Sequence, residues 1–341
     1  MTIPEAIARL LEGRSLSEDE AAAVVGKIMD GEATAAQIGA LLVLLRRKGE
    51  TIDEITGAAR AMRAKVTAVR CERETVLDTC GTGGDGCRTF NVSTAAALVA
   101  AAAGCTVAKH GNRAISGTVG GADVLERLGV AIDAGVEQVE TVLRETGFGF
   151  LLAPLLHGAM RHAAGPRREI GVRTIFNLLG PLTNPAGARH HLLGVFDACW
   201  VEPLAQVLGR LGSVHALVVH GDDGLDELTT TASSDVAELR AGEVRKFRVD
   251  PQSCGLKRAR LSDLQVENAE QSAQIIRSVL AGETGPAREI VLLNAGAAIY
   301  AADRAATISD GIAAAREAID SGRARETLAR VACVSHGGGR A

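Results

Sequence analysis

The stretch Asp78-Thr-Cys-Gly81-Thr-Gly83-Gly84-Asp85-Gly86-Cys-Arg-Thr89-Phe-Asn91-Val-Ser93-Thr94 decides how the rest of the chain is read. Apolar Val76-Leu77 leads into it like the end of a buried strand. The glycines carry no side chain to keep a ligand off the backbone. Asn91, Ser93 and Thr94 offer capping groups where a helix should start, ahead of an alanine-rich run. A second apolar run, Cys105 to Lys109, ends in the polar cluster Lys109-His110-Gly111-Asn112-Arg113. Strand, glycine loop, helix, strand and basic loop make a unit suited to holding phosphate at a helix N-terminus.

On the N-terminal side, residues up to about 70 read as all helix. Four capping-box patterns punctuate them: Thr2/Glu5, Ser17/Glu20, Thr34/Gln37 and Thr51/Glu54. They stand in register with apolar stripes such as Ile38, Leu41, Leu42, Leu45, and Gly13, Gly31 and Gly49 fall where helices should stop. The boundary lies near Arg70 to Glu74.

On the C-terminal side the pattern alternates. Short strand-like runs occur at 106–107, 148–152, 191–196 and 214–220, with helical stretches at 122–128, 136–146 and 201–211. Such alternation predicts an α/β fold with a mostly parallel sheet. Ala241-Gly242 between Leu239-Arg240 and Val244–Val249 predicts a tight hairpin at an edge. From about residue 270 long helices return, at 271–280, 288–302 and 309–320. The run Ile170 to Pro185, broken by Gly180-Pro181 and Asn184-Pro185, predicts a helix ending at Leu179 and a rigid turn; a site edge and a plain connector are both open readings.

The composition narrows the function classes. At 341 residues the chain has room for about two domains. A formal net charge of −4 gives no general pull toward nucleic acid, and 2% aromatics are too few for a base-stacking platform. Seven cysteines without a C-x-x-C pair fit reduced thiols in a cytosol. No signal-peptide pattern precedes Glu5 and Glu12, and the longest apolar run, Ala95 to Ala103, is too short to span a bilayer.

Gly81, Gly83 and Gly86 satisfy G-x-G-x-x-G, but the dinucleotide reading wants an acid at the end of the second strand, where Lys109-His110 stands. Asp85 would also repel a pyrophosphate unless a cation lay between. Asp85 with Ser93, and Asp226-Glu227 beyond the strand at 214–220, supply the hard oxygens that suit magnesium. An isolated Asp-Glu pair in a loop is usually just solvated; the phosphate loop upstream tips this pair toward a metal. Lys109 suits phosphate as a point charge, with Arg113 as a further candidate for anions. Arg167 could take a carboxylate bidentately, yet Arg168 and Arg173 are equally basic and composition does not choose among them. His110 and His157 are polar candidates. No G-x-S-x-G elbow occurs, and Cys80 and Cys87 lack a histidine at a recognisable spacing.

These motifs together resemble the anthranilate phosphoribosyltransferase family of the nucleoside-phosphorylase-like class. The resemblance rests on Gly81–Gly86, Asn91–Thr94, Lys109–Arg113, Ala122–Leu125, Ala153–His157 with Ala159-Met160, Arg167, Gly171–Pro185 and Gly224–Glu227, in the family's order over most of the chain. It implies a small N-terminal helical domain plus a larger α/β domain with a mostly parallel central sheet flanked by helices. The implied ranges are 1–70, joined by helices around 165–185, and 74–341. It implies a cytoplasmic homodimer paired through the helical domain, with no nucleic-acid or membrane partner. The implied reaction is transfer of phosphoribose from phosphoribosyl pyrophosphate to the amine of anthranilate, releasing pyrophosphate, in tryptophan biosynthesis with Mg2+.

Carried over by position, Gly81, Gly84, Asp85, Thr89, Asn91, Val92, Ser93, Thr94, Lys109, His110, Gly111, Asn112, Arg113, Ala114, Ile115, Ser116, Gly117 and Gly121 would line the donor site. Gly81, His110, Asn112, His157 and Arg167 would meet anthranilate; Ser93, Asp226 and Glu227 would hold the metal; Lys109, Asp226 and Glu227 would carry the catalysis. Thr118, Val119, Gly121 and Gly158 depart from the family's commoner pattern, and Gly121 could cost one side-chain contact to the phosphates. Two competing classes are an NAD-dependent oxidoreductase and a non-catalytic nucleic-acid binder; the net charge, Asn112 and Arg167 speak against the second.

Overall fold

The computed structural model describes residues 1–113 and 119–338. It opens with helices α1 (Ile3–Leu11), α2 (Glu18–Met29), α3 (Ala35–Lys48) and α4 (Ile52–Arg63). All four capping boxes form, at Thr2, Ser17, Thr34 and Thr51. In the first, Thr2 Oγ1 accepts from the Glu5 amide at 3.3 Å while Glu5 Oε2 accepts from the Thr2 amide at 2.7 Å. Losing such a cap costs about 1 kcal/mol, so each boundary is set locally. The stripe Ile38, Leu41, Leu42, Leu45 is buried as its spacing predicts.

The chain then alternates: β1 (Leu77–Gly81), α5 (Val92–Ala102), β2 (Val107–Gly111), α6 (Gly121–Arg127), α7 (Val136–Thr146), β3 (Phe148–Leu152), α8 (Ala153–Leu156), α9 (Arg161–Ile170), α10 (Phe176–Leu179), β4 (His190–Gly194), α11 (Val201–Arg210), β5 (His215–Gly221), β6 (Ser234–Arg240) and β7 (Glu243–Val249). It closes with α12 (Ala269–Leu280), α13 (Pro286–Ala301), α14 (Ile308–Asp320) and α15 (Arg323–Ser335). The seven strands make one sheet in the order β3-β2-β1-β4-β5-β6-β7, parallel through β5, with the antiparallel hairpin β6–β7 at the edge. Ala241 and Gly242 turn that hairpin at φ 52° and 82°, as a tight primed turn requires.

Two sequence expectations shift, and one helix stands outside them. Leu77 begins the first strand rather than ending it, so β1 runs through Asp78, Thr79 and Cys80 into the glycine motif. The helix ending at Leu179 is only the four residues of α10, and the longer helix on that side is α9, which contains Pro166. The last helix, α15, lacked a capping signal in the sequence: its N-cap is Gly322, which makes no side-chain cap.

The strand order reverses beside β1. The chain steps from β1 outward to β2 and β3, then returns to place β4 on the other side of β1. Ligands of open α/β sheets bind outside the carboxyl ends of the strands at such a switch point. Two helices that are apolar nearly all round, α5 and α13, pack together under this sheet; Ala95–Ala101 and Ile290–Ala301 are buried throughout. Alanine lets those two backbones approach closely.

The opposite end of the sheet is closed by a polar knot. His215, at the start of β5, is fully buried; its Nδ1 lies 2.8 Å from Asp303 Oδ1 and its Nε2 3.0 Å from Glu238 Oε1. Tyr300 donates to Glu238 at 2.6 Å, Arg245 donates to the same carboxylate, and Arg240 donates to Tyr300 at 3.1 Å. With His190 and Asp303, His215 forms the one His/Cys/Asp/Glu trio whose donors converge within 4.8 Å among the described residues. Those donors are already matched: His190 Nδ1 meets the Ala301 carbonyl at 2.8 Å, and Arg240 reaches Asp303 at 3.4 Å.

Candidate active site

The switch point is a notch. Gly81 ends β1 and Gly194 ends β4, and the two are paired across the sheet. A Cβ at either position would collide with Asp226. Gly81 is therefore bare chiefly to admit the Asp226 side chain, where the sequence suggested approach of a ligand. Gly194 is a site residue the sequence reading missed; its only signal is a glycine closing an apolar strand, His-His-Leu-Leu-Gly194. Asp226 Oδ2 accepts from the Gly83 amide at 2.7 Å, which ties the acid to the glycine loop. Gly83, Gly84 and Gly86 follow at φ 68°, 76° and 76°, a left-handed region costly for other residues.

Sequence spacing kept Asp85 apart from Asp226-Glu227; the fold joins them. Burial, then the Asp85 charge and a side-chain hydrogen bond with Asp85, push the Asp226 carboxyl up to about 7. Burial, then Asp226, push Glu227 up to about 8. Carboxylates crowded like this hold protons until a cation arrives. Lys109 is the nearest cation. It is buried, its pKa lowered by desolvation, and its Nζ donates to the Thr79 carbonyl and, at 3.0 Å, to Ser93 Oγ. Hard oxygen donors that do not close into a complete cage suit Mg2+, which uses few carboxylates and completes its shell with water and substrate phosphate. Ser93, Asp226 and Glu227 fit that demand.

The start of α5 forms the other wall. Asn91 Oδ1 caps the helix from the Thr94 amide at 3.1 Å, and the Asn91 amide is held by Ser272 Oγ at 2.9 Å. The next residue in the helix, Val92, is buried. Among the described residues, Thr94 Oγ1 is buried without a hydrogen-bond partner. Across from it, a Cβ on Gly121 would lie 3.5 Å from that hydroxyl and 3.9 Å from both Asn91 Oδ1 and Lys109 Cε. An orphaned hydroxyl costs about 1–3 kcal/mol, and a ligand oxygen in the space left by Gly121 would relieve it. Thr89 anchors the loop before the helix through a bridge to Gln265.

The residues expected to meet the acceptor lie on β2, α9 and the turn between α8 and α9. His110 Nδ1 meets the Gly180 carbonyl at 3.0 Å and its Nε2 lies 3.1 Å from His157 Nε2. That network assigns the proton of His110 to Nδ1 and that of His157 to Nε2. Burial and the neighbouring ring lower His110 to about 3, and burial lowers His157 to about 4, so both stay neutral. Arg167 projects from α9 with its guanidinium 5.1 Å from the Phe176 ring centroid. Burial lowers its pKa, and among the described residues it has no ion-pair partner. Arg168 and Arg173 are exposed, so the fold separates three arginines that composition left equal.

Asn112 Oδ1 accepts from the Arg113 amide at 2.8 Å. The Arg113 side chain pairs with Asp123 and Glu126 at 3.0 Å each. Gly111 closes β2. Ala114, Ile115, Ser116, Gly117 and Thr118 lie outside the described residues. A second missed residue is Asp78. It is buried inside β1, its pKa raised by desolvation, and it accepts from the His110 amide at 3.0 Å and from Asn184 Nδ2 at 2.7 Å. An aspartate within an apolar strand was the available signal. It fastens the Asn184-Pro185 turn to the strand that carries the loop.

A family model described as glycosyl transferase family, a/b domain, matches residues 73–325, and its helical bundle companion matches residues 4–66, which sets the class. Anthranilate phosphoribosyltransferase of Thioalkalivibrio sulfidiphilus is 57% identical over 328 residues, covering 96% of this chain and 97% of the relative. The crystal structure of the Thermus thermophilus enzyme of that name aligns with a TM-score of 0.92 at 46% identity, covering 97% of this chain and 99% of that one. The Saccharomyces cerevisiae enzyme, solved in complex with phosphoribosyl pyrophosphate and Mg, aligns at 0.89 and 27% identity over 98% of both chains. The same yeast enzyme has been solved with 4-fluoroanthranilate. The chain belongs to the anthranilate phosphoribosyltransferase family.

Proposed function

We infer that this chain transfers the phosphoribosyl group of phosphoribosyl pyrophosphate to the amine of anthranilate, releasing pyrophosphate, in tryptophan biosynthesis. One observation carries the reading: carboxylates of Asp85, Asp226 and Glu227 crowd a left-handed glycine loop at the strand switch point, beside the orphaned Thr94 hydroxyl. Acids repel a phosphate, and a phosphate loop attracts one. A Mg-pyrophosphate group reconciles the two.

Breaking the ribose–pyrophosphate bond builds positive charge on the sugar and negative charge on the leaving group. Bound Mg2+ supplies neutralisation of the leaving pyrophosphate, and Ser93, Asp226 and Glu227 would hold it. Thr94 donates its free hydroxyl to a phosphate oxygen at the start of α5. Lys109 places fixed positive charge beneath the loop. Gly81, Gly84, Asp85, Thr89, Asn91, Val92 and Gly121 shape the donor pocket. Arg167, desolvated and unpaired, takes the acceptor carboxylate and aims the ring. Asn112 and the neutral pair His110–His157 wall the acceptor without adding charge. An aromatic amine is already neutral near pH 7, so positioning matters more than a base.

The same reading takes residues 1–70 with helices around 165–185 as one unit and 74–341 as the other. One apolar cluster packs Ile3–Met62 side chains with Ala163 and Ile175–Leu182, which supports joining those segments; the same cluster continues into Leu193, Leu204 and Val218 of the larger unit. The reading also takes the molecule as a cytoplasmic homodimer paired through the helical unit. Supporting the pairing, α1 and α3 expose Leu11 and Val43. No described helix is long and apolar enough to cross a membrane. Sedimentation checks the pairing. The deciding experiment follows loss of anthranilate fluorescence with phosphoribosyl pyrophosphate, with and without Mg2+. Consumption that needs both donor and metal is expected; none under any condition overturns the reading.

A further inference from the structure

Arg173 is an exposed arginine that behaves unlike one. It forms no ion pair among the described residues, yet its guanidinium is held twice. It donates to the Gly84 carbonyl, and its Cζ sits 4.2 Å from the Phe196 ring centroid. Holding a long side chain still costs up to about 2 kcal/mol of rotamer entropy, so a free surface arginine would be expected to wander. We propose that Arg173 is a positioning residue for the donor loop, holding it in shape from the acceptor side of the cleft.

The loop needs outside help. Gly83, Gly84 and Gly86 have no intrinsic preference for their positive φ over the alternatives. Three tethers define its path. Thr82 is fixed to the end of β4: its amide donates to the Gly194 carbonyl at 2.9 Å and its Oγ1 accepts from the Phe196 amide at 3.0 Å. Gly83 is fixed to Asp226 at 2.7 Å. Gly84 is fixed by Arg173 alone among these, from an element outside the sheet. Phe196 thus serves two of the three tethers, its backbone gripping Thr82 and its ring seating Arg173. Gly84 stays bare for its φ of 76°, and a Cβ there would press on Arg173 Nη2 at 3.1 Å.

Arg173 leaves α9 just beyond Gly171, whose φ of 66° ends that helix. The same helix carries Arg167. The guanidinium that seats the acceptor and the one that seats the donor loop therefore hang from one short piece of backbone, Arg167 to Arg173. Arg173 donates to a loop carbonyl, so its influence passes through the loop.

This inference rests on the proposed transfer reaction, and the test separates the two. Wild-type turnover of anthranilate with phosphoribosyl pyrophosphate and Mg2+ tests the reaction; the ratio of variant to wild type tests Arg173. Arg173→Ala is expected to raise the KM for phosphoribosyl pyrophosphate about tenfold, equivalent to about 1.4 kcal/mol, with kcat within about threefold. Arg173→Lys keeps a donor for Gly84 and loses the flat stack, so it should recover part of that loss. Phe196→Leu keeps the Thr82 bond and loses the seat, so it should raise the same KM about threefold. A donor KM within about twofold of wild type in Arg173→Ala would overturn the proposal, whether or not its melting temperature falls. A rise confined to the anthranilate KM would overturn it too, making Arg173 an acceptor contact.

Discussion

The sheet carries buried charge at both ends and treats it in opposite ways. At the amino end of β5, burial alone would raise Glu238, but hydrogen bonds from Tyr300, Arg245 and His215 bring it below the usual carboxylate range. The His215, Tyr300 and Arg245 donors there meet the Glu238 carboxylate. At the carboxyl ends of β1, β2 and β5, Asp226 and Glu227 are raised to about 7 and about 8, Lys109 is lowered, and Thr94 Oγ1 has no partner. The knot is a structure completed by the protein itself. The cleft is left incomplete, and what would complete it is a cation, an anion and a carboxylate. Function sits where the fold leaves electrostatics unsatisfied.

That contrast can be broken most sharply by removing the acids of the cleft. Asp226→Asn with Glu227→Gln should lower Mg-dependent turnover by about 10³-fold or more. It should also raise the melting temperature of the metal-free protein at alkaline pH. The sign follows from the shifts: both folded pKa values are raised, so the stability these groups allow is full below pH 4 and is lost as pH rises through about 7 and 8. Melting curves and a Mg2+ titration check both halves; a fully active double variant would defeat the metal role.

The complementary change strikes the knot. Glu238→Gln breaks a buried ion pair and should cost about 3 kcal/mol of stability while leaving kcat at 25 °C nearly untouched. Denaturant melts and steady-state rates measure this, and a large kcat loss without a stability loss would erase the distinction between the two ends. Next in size is Arg167→Ala, which should raise the KM for anthranilate about 100-fold and the KM for the sugar donor far less. Because the guanidinium is desolvated and unpaired, this variant should be no less stable than wild type. Equal rises in both constants would refute the assignment.

The cleft should also show a pH slope. His110 and His157 are depressed to about 3 and about 4, so their neutral forms belong to the folded state. Their stability contribution is full above about pH 6.5 and is lost as pH falls toward those folded values, by at most about 1.4 kcal/mol per unit for each ring. With the opposing acids removed by Asp226→Asn and Glu227→Gln, the melting temperature should fall between neutral pH and pH 5, and His157→Asn should flatten that fall. A level profile in that double variant would show that neither ring is held neutral.

Local chemistry made much of this legible beforehand. A hydroxyl three residues ahead of a carboxylate or amide marked all four helix starts, because the cap bonds lie within one turn. Phe148–Leu152 and Val136–Thr146 were readable from apolar period, and the edge hairpin from Ala241-Gly242. The phosphate loop, Lys109 and the Asp226-Glu227 pair were readable as residue types. Gly194 and Asp78 were not, since their meaning is a partner far along the chain: Asp226 for one, Asn184 for the other. Nor could charge alone separate Arg113, which pairs with Asp123 and Glu126, from Arg167, which stands unpaired.

By itself the sequence determined the elements, their class and the chemical inventory of the cleft, because capping, period and residue type act over a few residues. Only the tertiary structure decided that Gly81 is bare for Asp226, that Asp85 joins the acids beyond β5, and that Arg173 reaches back to Gly84. Those are contacts between segments roughly 90 to 145 residues apart, and sequence proximity carries no information about which distant backbone a side chain will meet once the strand order has reversed.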